Sequence, residues 1–145
     1  MRRNLRIEDL GDLLDGPAAA VLATYRGDGS ALLSPVWLRW DGVAFEITLA
    51  AGDHKIRHIE RDPRVVLTVF EPKPPFRGLE LRCSAQMRRE GVFEARRAIA
   101  SRFVGAERDQ AFAEERGESG FVLRLEPGEV RAWDFADTFP APLRD

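Results

Sequence analysis

Alternation of apolar and polar positions is sharpest over residues 79–88, where Leu79, Leu81, Cys83, Ala85 and Met87 interleave with Glu80, Arg82, Ser84, Gln86 and Arg88. A period of two places the two sets on opposite faces of a β-strand, one buried and one wet. Val65–Phe70 is instead a continuous β-branched and aromatic run, which predicts a strand covered on both sides. Upstream, Ala18–Thr24 leads into Arg26-Gly27-Asp28-Gly29 and Leu32–Trp40 leads into Asp41-Gly42, turn sequences whose residues accept positive φ. Together with Val43–Leu49 they predict three antiparallel strands in meander order. Phe121, Leu123 and Leu125, followed by Glu129–Phe135, predict one or two late strands.

Helical spacing appears in four places. Leu10, Leu13 and Leu14 follow the acidic residues Glu8 and Asp9 and stop at Gly16-Pro17, predicting a short amphipathic helix. Gly52–Arg61 is charged and short; Asp53 is suited to its N-cap, and the helix must end before Asp62-Pro63, because a residue preceding proline avoids helical angles. Val92, Ala95, Ile99 and Phe103 recur on one face of Glu90–Phe103, a helix closed by Gly105, and a weaker helix is predicted over Glu107–Arg116. Six or seven short antiparallel strands with a few helices predict a mainly β (α+β) fold, a small barrel with flanking helices.

A chain of 145 residues supports one well-formed core, so a single domain over residues 1–145 is expected. The 22 basic and 24 acidic side chains leave a net charge of −2, which excludes a global positive field for nucleic acid. Any anion site must be local. Cys83 is the one cysteine, which excludes an intramolecular disulfide and fits a reducing compartment, so a cytoplasmic location is expected. No stretch approaches the roughly 20 apolar residues of a membrane span, and Glu8, Asp9 and Asp12 interrupt the place where a signal peptide would be apolar, so neither membrane insertion nor export is expected.

Local chemistry concentrates in Asp53-His54-Lys55-Ile56-Arg57-His58, where a strand hands over to a helix N-terminus. Free N–H groups and the helix dipole favour an anion there, and cationic side chains add charge-assisted bonds to a phosphate. The chain has only two lysines, Lys55 and Lys73, against 20 arginines, so a lysine here is not the default cation. The competing interpretation is a solvated helix face with ion pairs to Glu60 and Asp62. His54 and His58 are four apart but lack further ligands, so no metal site is expected. Cys83 lies on the apolar face of its strand, as core packing rather than a nucleophile. Trp37, Trp40 and Trp133 offer flat surfaces, and the odd separation of Trp37 from Trp40 directs them to opposite faces of a regular strand. Gly27-Asp28-Gly29 lacks a third glycine and opens no helix, and neither a phosphate-binding loop nor a Gly-x-Ser-x-Gly elbow occurs.

Taken in order, Ala23-Thr24, Ser34-Pro35-Val36-Trp37, Thr48, Lys55-x-Arg57, Arg61-Asp62-Pro63-Arg64-Val65 and Arg131-Ala132-Trp133-Asp134-Phe135 resemble the pyridoxamine 5'-phosphate oxidase-like split-barrel family, and more closely its flavin/deazaflavin oxidoreductase branch. The resemblance spans roughly residues 7–135. It implies a split β-barrel (the FMN-binding split barrel) and a homodimer that buries a cofactor at its interface. Matched by position, Lys55 and Arg57 with the intervening Ile56 would hold the cofactor phosphate, Pro35-Val36-Trp37 and Thr48-Leu49-Ala50 would flank its ring, and Trp133 would reach it from the partner chain. The implied cofactor is F420, a 5-deazaflavin, with FMN as the alternative, and the implied activity is hydride transfer to or from a conjugated small molecule. An FMN-dependent oxidoreductase and a non-catalytic carrier or sensor of the cofactor are the other readings. His58 stands where the family often has asparagine, and the ending Ala141-Pro142-Leu143-Arg144-Asp145 lacks the substrate motif of true pyridoxamine phosphate oxidases, so vitamin B6 oxidation is not expected.

Overall fold

In the computed structural model, which describes residues 1–139, the alternating segments become strands of two antiparallel sheets. The ending noted at Ala141–Asp145 lies outside the described residues. The strands are β1 (Arg2–Leu5), β2 (Ala19–Tyr25), β3 (Ala31–Pro35), β4 (Arg39–Trp40), β5 (Phe45–Leu49), β6 (Arg64–Phe70), β7 (Gly78–Ser84), β8 (Gln86–Arg88), β9 (Phe121–Leu125) and β10 (Glu129–Asp134). The helices are α1 (His54–Arg61), α2 (Val92–Val104) and α3 (Asp109–Arg116). One sheet runs β1-β10-β7-β6-β2-β3 and the other β4-β5-β9-β8. This is the split barrel with flanking helices that the family resemblance implies, and it bears out the small barrel that the patterning predicts.

Ten strands replace the expected six or seven for two reasons. Two predicted strands each cross from one sheet to the other: Leu32–Trp40 breaks between β3 and β4, and the alternating run breaks at Ala85, whose N–H bonds the Pro63 carbonyl at 2.8 Å. The three-stranded meander is corrected accordingly: β2–β3 and β4–β5 pair as hairpins, but in different sheets. Secondly, the opening helix is corrected. Arg2–Leu5 pairs with β10, and only Ile7–Leu10 coils, as a single 3-10 turn. Leu10, Leu13 and Leu14 are nonetheless buried, so their apolar spacing serves the core without a continuous helix.

The core lies between the sheets, joining Leu22, Val65, Leu67, Val69, Leu79 and Leu81 to Phe45, Ile47, Leu49, Leu123 and Leu125. Burying each such side chain stabilises the fold by roughly 1.5–3 kcal/mol. β6 is corrected from doubly covered to singly covered: Val65, Leu67 and Val69 are buried, whereas Val66, Thr68 and Phe70 remain partly exposed on the outer face of the larger sheet. No helix among the described residues is long and apolar enough to cross a membrane.

Candidate functional site

The predicted helix after β5 forms as expected and sets the site. Asp53 has extended backbone angles and its carboxylate accepts the Lys55 backbone N–H at 2.9 Å, capping α1; at the other end the Asp62 N–H bonds the His58 carbonyl at 2.8 Å, just before Pro63. The same Asp53 carboxylate receives Lys55 Nζ at 3.1 Å. A cap and an ion pair therefore share one carboxylate, and they fold the lysine back over the helix start, where its side chain is 14% exposed.

Lys55 faces a cleft of about 270 Å³. One wall is the link between the two sheets, Pro35, Val36 and Trp37, and another is the end of β5 with its exit, Ile47, Thr48, Leu49 and Ala50. The third comes from the helices: Arg96 and Ile99 of α2, Phe112 and Arg116 of α3. Ile47, Leu49 and Ile99 are buried along the cleft, and so is Arg96, so apolar side chains and a cation share its lining. Trp37 stacks on Phe103 with ring centroids 4.8 Å apart and planes 3° from parallel, and meets Phe112 at 5.1 Å. Trp40 packs instead on Phe45; Trp37 lies in the link between β3 and β4, so the two tryptophans do not share the regular strand that the sequence predicts.

The structure thus brings together seven of the residues singled out in the sequence: Pro35, Val36, Trp37, Thr48, Leu49, Ala50 and Lys55. Ile56 packs against the core, Arg57 is exposed, and Trp133 lies on the outer face of the larger sheet, where Gly78 leaves room for its ring. Arg96, Phe112 and Arg116 were missed. For Arg96 the signal was present: it follows Val92 by four and precedes Ile99 by three, a cation inside the apolar stripe of α2. Arg96 is 4% exposed, and its guanidinium donates to the Gly117 carbonyl at 2.8 Å and the Ser119 carbonyl at 3.2 Å, which fixes the end of α3.

His58 and Cys83 have structural surroundings. His58 Nδ1 lies 3.0 Å from the hydroxyl of fully buried Thr24, tying α1 to β2, and burial together with nearby Arg61 and Arg26 holds its pKa below the ordinary value. Burial pushes the Cys83 thiol up to about 11, which suppresses the thiolate a nucleophile needs.

The sequence profile of the family described as pyridoxamine 5'-phosphate oxidase matches residues 8–134. Among solved structures, a conserved hypothetical protein from Mycobacterium tuberculosis aligns at 19% identity over 94% of this chain and 89% of its own, with a TM-score of 0.78. An F420 reductase aligns at 25% identity over 82% of this chain and 93% of its own, with a TM-score of 0.66. A heme storage protein from Vibrio cholerae shares the fold at 14% identity over 88% of this chain and 94% of its own, with a TM-score of 0.68. Comparison with the curated proteins finds no match.

Proposed function

The chain belongs to the pyridoxamine 5'-phosphate oxidase family, whose members bind flavins, and we propose that it is an F420-dependent oxidoreductase acting on a conjugated small molecule. The observation that carries this reading is the cleft in which the Pro35–Trp37 and Thr48–Ala50 walls meet the Lys55 ammonium. Those residues fit a flavin-type cofactor: apolar and aromatic walls suit a planar ring, and a half-buried lysine at a helix start suits a phosphate. The likeness to an F420 reductase favours the deazaflavin over FMN. When bound, the cofactor supplies an electron pair as hydride.

The chain's residues bind and orient. Lys55 exchanges Asp53 for the cofactor phosphate and Trp37 closes the ring pocket from the side, whereas Arg57, two positions on from Lys55, is exposed and stands outside the lining of the cleft. Asp53, the only carboxylate lining the cleft among the described residues, accepts the Lys55 backbone N–H, and in this reading solvent is the source of the proton.

A homodimer completes the site in this reading. At about 270 Å³ the cleft lies at the small end of small-molecule pockets, and a second hollow of about 680 Å³ shares its Pro35, Val36 and Trp37 wall. The outer face of the larger sheet offers the contact surface. Register aligns Leu33, Ala23 and Val66 in one row and Ala19, Phe70, Gly78 and Trp133 in another, and Leu33 is 65% exposed. Trp133 lies in this face, the position from which it would approach a cofactor held by the second copy.

The test is equilibrium binding of F420 and FMN to the purified protein, followed by fluorescence, together with oxidation of reduced F420 by a panel of enones. F420 should bind more tightly than FMN and be oxidised only when acceptor is present. Lys55→Ala should weaken F420 by roughly 1.5–3 kcal/mol, the scale of one charge-assisted contact. Tighter FMN binding would transfer the assignment to FMN. Binding without acceptor-dependent oxidation would make the protein a carrier.

A further inference from the structure

The cleft carries three cations, and their commitments differ. Lys55 is paired with Asp53 at 3.1 Å, and Arg96 is buried with its N–H groups spent on the carbonyls after α3. Arg116, the last residue of α3, is almost uncommitted. Its nearest carboxylate, Glu115, is 3.8 Å away and 80% exposed, and its hydrogen bond to the Phe112 carbonyl is long at 3.5 Å. The guanidinium lies over the Phe112 ring, with Cζ 3.7 Å from the centroid. Stacking of this kind, and the favourable C-terminal end of the helix dipole, hold a guanidinium in place through its face and leave its N–H edge free. That edge belongs to a residue lining the cleft, beside Phe112 and Trp37.

A planar fork of donors beside an aromatic wall matches a planar group ending in a carboxylate, which guanidinium binds through two parallel hydrogen bonds. We propose that Arg116 is a specificity-determining residue that selects acceptors bearing a carboxylate conjugated to the reducible double bond. Arg96, by holding the carbonyls of Arg116, Gly117 and Ser119, is the positioning residue that keeps the fork at the cleft. The inference rests on the oxidoreductase reading and names its acceptor class: α,β-unsaturated acids. Reduction of such an acid adds hydride at the β-carbon and a proton from water at the α-carbon, giving the saturated acid, with the electron pair drawn from reduced deazaflavin.

The test is binding of trans-cinnamate and of its neutral isostere trans-cinnamamide to the F420-loaded protein, followed by tryptophan fluorescence, in the wild type, Arg116→Gln and Arg116→Lys. Wild type should prefer the acid by about tenfold or more, Arg116→Gln should abolish the preference, and Arg116→Lys should restore only part of it, since an ammonium keeps the charge without the fork. F420 affinity should be the same in all three. Equal binding of acid and amide by the wild type overturns the proposal, as does a preference that survives Arg116→Gln. A parallel loss of F420 affinity in Arg116→Gln also overturns it, because the guanidinium then belongs to the cofactor. Should F420 fail to bind the wild type, the cofactor reading fails by itself, and the acid–amide comparison on the cofactor-free protein still decides the role of Arg116.

Discussion

Gly120 shows how one residue shapes the site. Its φ is +108°, and a Cβ built there would meet the Leu49 carbonyl oxygen at 2.0 Å, where backbone has little room to give. Gly29 also has positive φ, +86°, but opens to solvent with nothing within 4 Å. Gly120→Ala should therefore destabilise the protein by roughly 2–4 kcal/mol, strain and overpacking together, against about 1–2 kcal/mol for Gly29→Ala. Urea unfolding of both variants checks this, and similar losses would mean that the Leu49 strand end yields. At this scale much of the cleft was legible. Lysine scarcity marked Lys55, and the family resemblance marked Pro35–Trp37 and Thr48–Ala50. Arg116 was not legible, since a helix-terminal arginine next to Glu115 reads as an ordinary solvated ion pair until Phe112 is seen beneath it.

The smaller sheet is cross-linked by one carboxylate. Glu46 of β5 is 2% exposed and receives Arg39 of β4 at 2.6 Å, Arg88 of β8 at 2.8 Å and Arg124 of β9 at 3.3 Å. Burial, the largest influence, pushes its pKa up, but hydrogen bonds from Arg88 and Arg39 outweigh it and hold the carboxyl below its ordinary value. Asp41, in the β4–β5 turn, is lowered to about 2, first by the Ala44 N–H and then by Arg124. Both folded pKa values lie below the unfolded ones, so their stabilisation is complete above the unfolded value and is lost as pH falls through the folded one. Stability should be level near neutrality and decline from about pH 4.5 toward 2, as measured by urea unfolding across pH. Glu46→Gln should cost roughly 2–3 kcal/mol at pH 7, below the range for a fully buried pair because the arginines stay partly solvated, and should flatten that decline. An unchanged slope would remove Glu46 as its source. Element boundaries inside Leu32–Trp40 and at Ala85 were hidden for a physical reason: a strand that turns from one sheet to the next keeps its inward–outward alternation, so the pattern runs on through the corner.

Across the whole molecule, the proposed homodimer is tested at the outer face of the larger sheet, where Leu33 is 65% exposed. Leu33→Glu should convert a dimer to monomer in sedimentation experiments and weaken F420 binding at least tenfold, while leaving circular dichroism unchanged. A monomeric wild type that binds F420 fully would overturn this. The amino-acid sequence by itself determined the strand and helix periodicities, the capped helix after β5 and the lysine at its start, because each depends on residues within a few positions of one another. Tertiary structure alone decided which strands share a sheet, that Arg2–Leu5 joins β10 through Arg2 and buried Asp134, and that Arg96 and Arg116 reach the cleft. Those outcomes depend on partners far away along the chain, whose approach is set by packing two sheets and three helices around one core and leaves no local mark.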